Sequence, residues 1–207
     1  MFYKILRFFA FLILKILFRV EYTGTEKVPE TGAFIIASNH SSYLDPIVLA
    51  VMSKRAIHFM AKEELFRVKI FNFIFRLFKA FPVDREKPSK SSILIALKKL
   101  KNGNILGMFP EGTRHVESLG KPFYGIGFLS VKNNVPIIPV AISGTDKIAP
   151  KGKILLHFSK IIVKVGDLIY PKKSHDRKSI KKIAKDITYE TMDSLKIMLQ
   201  ELEVERR

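Results

Sequence analysis

The first stretch of the chain is apolar on almost every side, and it predicts a helix that lies at a membrane surface. Residues 2–18 are mostly Phe, Leu and Ile, and they are interrupted by Lys4, Arg7 and Lys15 before Arg19 closes the run. On a helix that turns about 100° per residue, these four cations fall within one sector of about 120°. A helix that lies in the interface, with its basic stripe toward lipid head groups, fits this pattern. A short tilted span and a buried core helix are the alternatives, whereas Lys15 interrupts what a cleaved signal peptide would need.

A second segment, residues 66–81, repeats the pattern. Its polar residues step by three or four positions onto one helical face, and they are Lys69, Asn72, Arg76 and Lys79. The other faces are rich in Phe, Ile and Leu. A core-packed amphipathic helix explains this about as well as contact with a membrane or an acyl chain, which the density of Phe favours.

The rest of the chain alternates short apolar runs with helical patterns. We predict strands at 33–38, 57–60, 105–109, 137–142, 154–158 and 161–165, and helices at 46–53, 89–100, 124–132 and from Ser174 onward. Such alternation is typical of an α/β domain with a mixed, largely parallel sheet flanked by helices. Because the composition changes near residue 20, we divide the chain into an amphipathic membrane-anchoring helix at 1–20 and a single domain at 21–207.

Charge and composition narrow the classes of function. The 207 residues carry a formal net charge of +17 and are 47% hydrophobic, which is enough apolar material to exclude intrinsic disorder. So large a basic excess indicates an anionic partner: nucleic acid, an anionic membrane or a phosphorylated substrate. The chain has no Cys, which excludes disulfides, thiolate metal sites and cysteine nucleophiles.

A polar loop directly follows the first predicted strand, and it holds His40 and Asp45. On one continuous helix these two side chains would point in different directions. They meet if His40 lies in a turn and Asp45 caps the helix at 46–53, and the imidazole is then a candidate general base. An ordinary loop histidine beside an N-cap aspartate is the alternative for this loop taken alone.

Two further loops offer cations and a glycine. Residues 109–114 follow a predicted strand, where Gly112 lets the backbone approach an anion and Arg114 presents a planar fork suited to phosphate. Glu111 would orient Arg114 or another cation. Arg85 lies where the second apolar segment ends. Taken singly, these are also compatible with an ordinary strand-to-loop turn and a surface arginine.

The sequence lacks the motifs of other common kinds of functional site. The chain has no G-x-S-x-G elbow, no P-loop and no G-x-G-x-x-G, so no serine is a strong nucleophile and no nucleotide cofactor is indicated. The five His show no metal-ligand spacing, so we expect neither a metal nor a cofactor. The basic residues do not form a recognisable nucleic-acid-binding module, and we expect no nucleic-acid partner.

Together the loops resemble the glycerolipid acyltransferase family, typified by 1-acyl-sn-glycerol-3-phosphate acyltransferase. Four blocks occur in the family's order: N-H-x4-D at 39–45, V-D-R at 83–85, F-P-E-G-T-R at 109–114 and V-P-I-I-P-V at 135–140. The resemblance runs from about residue 22 to about residue 143. It implies that His40 is the general base and Asp45 its orienting partner. It also implies an acceptor-phosphate site made by Arg85, Glu111, Gly112, Thr113 and Arg114.

The implied reaction moves a fatty acyl group from acyl-CoA or acyl carrier protein to the free sn-2 hydroxyl of a lysophospholipid, giving phosphatidic acid when the acceptor is 1-acylglycerol 3-phosphate. The implied location is the cytoplasmic face of the cell membrane, where the protein would bind an anionic lipid surface. Two departures stand out: Phe123 and Tyr124 occupy places where many members have Lys, and one amphipathic helix precedes the domain where relatives often have two. Another lysolipid acceptor and a non-enzymatic basic membrane-binding protein are the alternatives.

Overall fold

The structure is a computed structural model, and it describes residues 2–67, 72, 76, 78–83, 90–115, 118–148, 157–174 and 176–206. The strands are β1 (Glu21–Thr23), β2 (Phe34–Ser38), β3 (Ile57–Lys62), β4 (Phe81–Val83), β5 (Ile105–Met108), β6 (Ile137–Ser143) and β7 (Ile162–Val165). The α-helices are α1 (Phe2–Phe18), α2 (Asp45–Met52), α3 (Lys90–Lys101), α4 (Gly125–Asn133), α5 (Thr145–Ile148) and α6 (Arg177–Glu205). Two short 3-10 helices lie at Thr25–Lys27 and Glu63–Phe66.

Within these ranges the strands form one sheet in the order β1-β7-β6-β2-β5-β3-β4. All neighbouring strands run parallel except β6 and β7, which are antiparallel. At the centre, Ile36 of β2 is paired with Gly107 of β5 on one side and with Ile138 of β6 on the other. The prediction of a mixed, largely parallel sheet in an α/β fold is therefore confirmed.

Helices cover both faces of the sheet, which is why its central strands are apolar at nearly every position. On one face, Phe34 and Ile36 belong to a core cluster that also includes residues of α1 and α2. On the other face, Ile35 and Ala37 pack with residues of α3, α4 and α6. Since β2, β5 and β6 are parallel neighbours, their carboxyl ends meet at one edge of the sheet. Ligand sites of open α/β sheets form at that edge.

Several local predictions need correction or fall outside the described residues. Asp45 does not cap α2 from outside; it is the first residue of the helix, and Leu44 occupies the N-cap position without a side-chain bond. The predicted strand at 154–158 is wrong where it can be compared, because 157 and 158 lie outside any strand. The last helix begins at Arg177, since the Asp176 side chain accepts the Ser179 N–H at 2.8 Å and caps it. Half of the segment 66–81, including Lys69, lies outside the described residues.

Helix α1 lies against the domain by one narrow face. Leu14 and Phe18 are buried in the core, and the side chain of Arg7 donates a hydrogen bond to the Ser53 carbonyl at the end of α2. Arg7 thus turns toward the protein, although the sequence pattern placed it in a stripe facing lipid head groups. No helix in the described part of the chain combines the length and apolar character needed to cross a membrane.

The face of α1 opposite Leu14 and Phe18 is apolar and exposed. On a helical projection it gathers the exposed apolar side chains Ile5, Phe9, Ile13 and Ile16. Such a contiguous apolar patch is unusual for a surface that meets only water. The amphipathic, membrane-surface character of α1 and the division at residue 20 stay predictions.

Candidate active site

A histidine and an aspartate meet in a buried pocket at the end of β2. His40 Nδ1 lies 2.9 Å from Asp45 Oδ2, and both side chains are almost inaccessible to solvent. The turn at 41–44 brings the two residues together, as the interpretation of this loop requires. An ionised carboxylate only accepts hydrogen bonds, so the proton lies on Nδ1, and Nε2 keeps a lone pair that can accept another proton.

Asp45 is held in place by its local backbone. Its Oδ2 also accepts the N–H groups of Ser41 and Ser42, both at 2.8 Å. Its Oδ1 accepts the Thr145 hydroxyl at 2.6 Å. The aspartate is therefore fixed in direction, and it can hold the imidazole in one tautomer.

The loop after β5 contacts both the main chain and the ring of His40. The His40 N–H donates to Glu111 Oε1 at 3.1 Å, and the His40 carbonyl accepts the His115 N–H at 2.8 Å. The imidazole also stacks on the ring of Phe109, with 4.0 Å between the ring centroids. The H-x4-D and F-P-E-G-T-R blocks therefore form one connected site rather than two separate loops.

Glu111 faces the backbone of these loops. Its side chain is buried, and Oε2 accepts the Gly120 N–H at 2.6 Å while Oε1 accepts from His40. Burial raises the pKa of the Glu111 carboxyl, although the two N–H groups that it accepts act in the opposite direction. The glutamate thus links the start of the first loop to the far end of the second.

The three residues after Glu111 approach solvent. Gly112 has φ +70°, a left-handed backbone conformation that favours glycine, and the ring of Phe123 lies close to its Cα. The Thr113 hydroxyl lies 3.1 Å from His115 Nε2. The Arg114 guanidinium is half-buried and stacks over the ring of Tyr43, 3.8 Å from its centroid. Such stacking aligns a planar cation without using its N–H donors.

Arg85 lies outside the described residues, although Val83, two positions before it, ends the edge strand β4. Among the other predicted residues, the structure brings His40, Asp45 and Glu111 into direct contact. Gly112, Thr113 and Arg114 continue the same loop at its accessible side.

The sequence interpretation assigned no role to Asn39 and Tyr43 on the first loop or to Thr145 beyond the end of β6. The Asn39 side chain donates to the Ile142 carbonyl and accepts the Ile142 N–H, both at 2.8 Å, which ties the first loop to β6. Thr145 follows two residues after β6 and reaches Asp45. Tyr43 supplies the platform for Arg114. Asn39 and Thr145 lie about a hundred positions in sequence from their partners, Ile142 and Asp45. Only the strand order, with β6 beside β2, therefore identifies these contacts.

Comparison with known proteins assigns this site to a family. The family described as Acyltransferase matches residues 19–143, which include the H-x4-D, F-P-E-G-T-R and V-P-I-I-P-V blocks. The chain belongs to this acyltransferase family, and the resemblance drawn from its motifs is confirmed.

Named relatives agree with this assignment. The 1-acyl-sn-glycerol-3-phosphate acyltransferase of Bacillus subtilis (strain 168) is 36% identical over 152 residues, which are 73% of this chain and 74% of that protein. The enzyme of the same name from Streptococcus pneumoniae (strain ATCC BAA-255 / R6) is also 36% identical, over 70% of this chain and 55% of that protein.

A solved structure has the same fold. The crystal structure of the 1-acyl-sn-glycerophosphate (LPA) acyltransferase PlsC from Thermotoga maritima matches with a TM-score of 0.78 and 27% identity. The match covers 97% of this chain and 79% of that one. The likeness therefore extends beyond the motif region to nearly the whole chain.

Proposed function

We propose that this enzyme transfers a fatty acyl group from a thioester, acyl-CoA or acyl carrier protein, to the sn-2 hydroxyl of 1-acylglycerol 3-phosphate at a membrane surface, giving phosphatidic acid. The observation that carries the proposal is the buried contact of 2.9 Å between His40 Nδ1 and Asp45 Oδ2. The names of the relatives from Bacillus subtilis and Streptococcus pneumoniae support the choice of acceptor.

In the proposed reaction, His40 acts as the general base. Its Nε2 takes the proton of the acceptor hydroxyl, and the oxygen attacks the carbonyl carbon of the thioester. Collapse of the tetrahedral intermediate breaks the C–S bond, and the thiolate leaves with the proton that His40 returns. Asp45 stabilises the imidazolium between these steps. A positioned base of this kind contributes roughly 10²–10⁴-fold.

We assign the phosphate of the acceptor to the accessible part of the second loop and to Arg85. Arg114 supplies a planar set of N–H donors, and stacking on the Tyr43 ring orients it. Gly112 lets the backbone come close to an anion. Thr113 adds a hydroxyl at the exposed surface of the loop. Glu111 contributes indirectly, because its carboxylate fixes the backbone from which these groups project.

We further propose that α1 lies in the membrane interface with its exposed apolar face toward the acyl chains. Ile16 is 70% exposed and Phe9 is 57% exposed, so an aqueous environment leaves these side chains poorly covered. The net charge of +17 favours an anionic membrane, and the cytoplasmic leaflet is the expected location.

The test is thioester consumption by the full chain on vesicles of anionic and zwitterionic phospholipid. The acceptor is lysophosphatidic acid, and the donor is acyl-CoA in one arm and acyl carrier protein in the other. We expect turnover by the wild type, its loss in His40→Ala, and no effect of His157→Ala, which removes an exposed loop histidine.

Parallel arms with lysophosphatidylcholine, lysophosphatidylethanolamine and monoacylglycerol test the phosphate assignment. Preference for lysophosphatidic acid, lost in Arg114→Gln, supports a phosphomonoester site. Equal use of the other acceptors overturns that assignment, and turnover by His40→Ala comparable to wild type overturns the base. Vesicle binding without turnover on any acceptor would indicate a non-enzymatic membrane-binding protein.

A further inference from the structure

His40 and Asp45, here called the dyad, are supported by a buried hydroxyl that lies outside the four acyltransferase blocks. Thr145 begins the short helix α5 after β6, and its side chain is fully buried. Its Oγ1 lies 2.6 Å from Asp45 Oδ1 and 3.1 Å from Ser41 Oγ. Two loops at the same sheet edge, the one after β2 and the one after β6, therefore converge on one carboxylate.

The direction of these hydrogen bonds follows from the chemistry of the partners. Ionised Asp45 only accepts, so Thr145 donates its single hydroxyl proton to Oδ1. The oxygen of Thr145 then accepts from the Ser41 hydroxyl. The resulting chain runs from Ser41 through Thr145 to Asp45, and Asp45 faces the Nδ1–H of His40 at its end.

Within the described ranges, Thr145 donates to an oxygen of Asp45 that no other donor contacts. His40, Ser41 and Ser42 all bond to Oδ2, whereas Thr145 alone bonds to Oδ1. A carboxylate anchored at one oxygen can still rotate about its Cβ–Cγ bond, and the second anchor stops this rotation. The two hydrogen bonds between Asn39 and Ile142 keep the end of β6 where Thr145 reaches its partner.

We propose that Thr145 is a positioning residue of the active site. Its hydrogen bond fixes the plane of the Asp45 carboxylate and weakens the effect of the carboxylate charge on His40, and both effects set the orientation and the basicity of the imidazole. This inference rests on the proposed role of His40. The titratable groups that face His40 in the described structure are Asp45 on α2, Glu111 at its main chain and His115 on the same loop as Glu111.

The experiment compares three variants of the full chain on lysophosphatidic acid vesicles. Thr145→Val removes the hydroxyl at nearly constant volume, and Thr145→Ser keeps it. Thr191→Val is the matched control, because Thr191 is also fully buried but donates to the Ile187 carbonyl at 2.7 Å within α6. Steady-state kcat and KM are measured from pH 5 to 9, and circular dichroism checks the fold.

For Thr145→Val we expect kcat to fall about 10-fold or more while KM for the acceptor changes less than about twofold, since binding groups are untouched. The acid limb of the kcat/KM profile should move to higher pH. The charge of Asp45, no longer shared with a hydroxyl, then acts more fully on the imidazolium and stabilises the inactive protonated base. Thr145→Ser should restore both the rate and the acid limb, and Thr191→Val should match wild type in both.

Several outcomes overturn the inference. These are an unchanged kcat and acid limb in folded Thr145→Val, an equal loss in Thr191→Val, or a Thr145→Ser variant as impaired as Thr145→Val. If Thr145→Val does not fold, Thr145→Ala takes its place, because it adds no apolar bulk. His40→Ala distinguishes failure of the base assignment from failure of the role of Thr145. If His40→Ala retains turnover, the base assignment itself fails. If His40→Ala is inactive and Thr145→Val is normal, only the role of Thr145 is refuted.

Discussion

Replacing Phe9 by Ala tests whether the outer face of α1 contacts lipid. Phe9 is 57% exposed on the side of the helix that points away from the protein. A phenylalanine side chain offers about 150–250 Å² of surface, so roughly 100 Å² of Phe9 is available to enter a bilayer. At about 25 cal/mol per Å², its transfer contributes about 2.5 kcal/mol, of which an alanine retains a minor share. Since 1.4 kcal/mol corresponds to a factor of ten, the partition coefficient should fall about 5- to 30-fold.

The assay is co-sedimentation of the protein with sucrose-loaded vesicles that contain phosphatidylglycerol, at several lipid concentrations. Ile197→Ala is the control, because Ile197 is also 57% exposed but lies on α6 beside the acidic side chains of Asp193 and Glu201. An anionic vesicle should avoid that face. A partition coefficient for Phe9→Ala within twofold of wild type, or an equal loss for Ile197→Ala, would refute membrane contact through α1. Turnover on a water-soluble short-chain acceptor should be unchanged in Phe9→Ala, since the substitution leaves the site intact.

Two further predictions concern buried titratable groups. Glu111→Gln replaces one acceptor oxygen by an NH₂ group that faces a backbone N–H of His40 or Gly120, so we expect a loss of about 1–3 kcal/mol in the free energy of unfolding and a lower kcat. Urea titration and turnover check this, and a variant as stable and active as wild type would contradict it. Burial and then the charge of Lys99 lower the pKa of His58 from 6.5, so the folded state binds fewer protons than the unfolded chain and wild-type stability declines as the pH falls below about 6.5. His58→Gln should show a shallower decline in urea midpoints between pH 7 and 5, and parallel curves would exclude His58 as a cause.

Parallel strand order explains why the centre of the site was accessible to sequence reasoning. The loops that hold His40 and Glu111 each follow an apolar strand, and in a parallel sheet such loops meet at one edge. The pairing of His40 with Asp45 depends only on a local turn of five residues. Local chemistry and strand direction were therefore sufficient to predict how His40 and Asp45 can meet, whereas their catalytic roles depend on the family resemblance.

Features that depend on long-range packing could not be predicted in the same way. Thr145 reaches Asp45 only because β6 lies beside β2, which the sequence does not state. Arg7 belongs to a basic stripe by helical spacing, yet the carbonyl of Ser53 draws it toward the domain. The strands β1 and β4 have three residues each, too few for a recognisable alternation. In each case a tertiary contact decided the outcome over the local pattern.

The contact between α1 and α2 gives the proposed membrane helix a direct relation to the chemistry. α1 packs against α2, with Arg7 bonded to the carbonyl just beyond the end of that helix, and α2 begins at Asp45. Packed helices lie about 8–10 Å apart, and the eight residues of α2 extend about 12 Å. A lipid surface that meets the outer face of α1 would therefore lie at a fixed and short distance from the dyad. A hydroxyl carried near the head-group level of a lysolipid could then reach His40 while its acyl chain stays in the bilayer, so that the substrate need not leave the membrane to react.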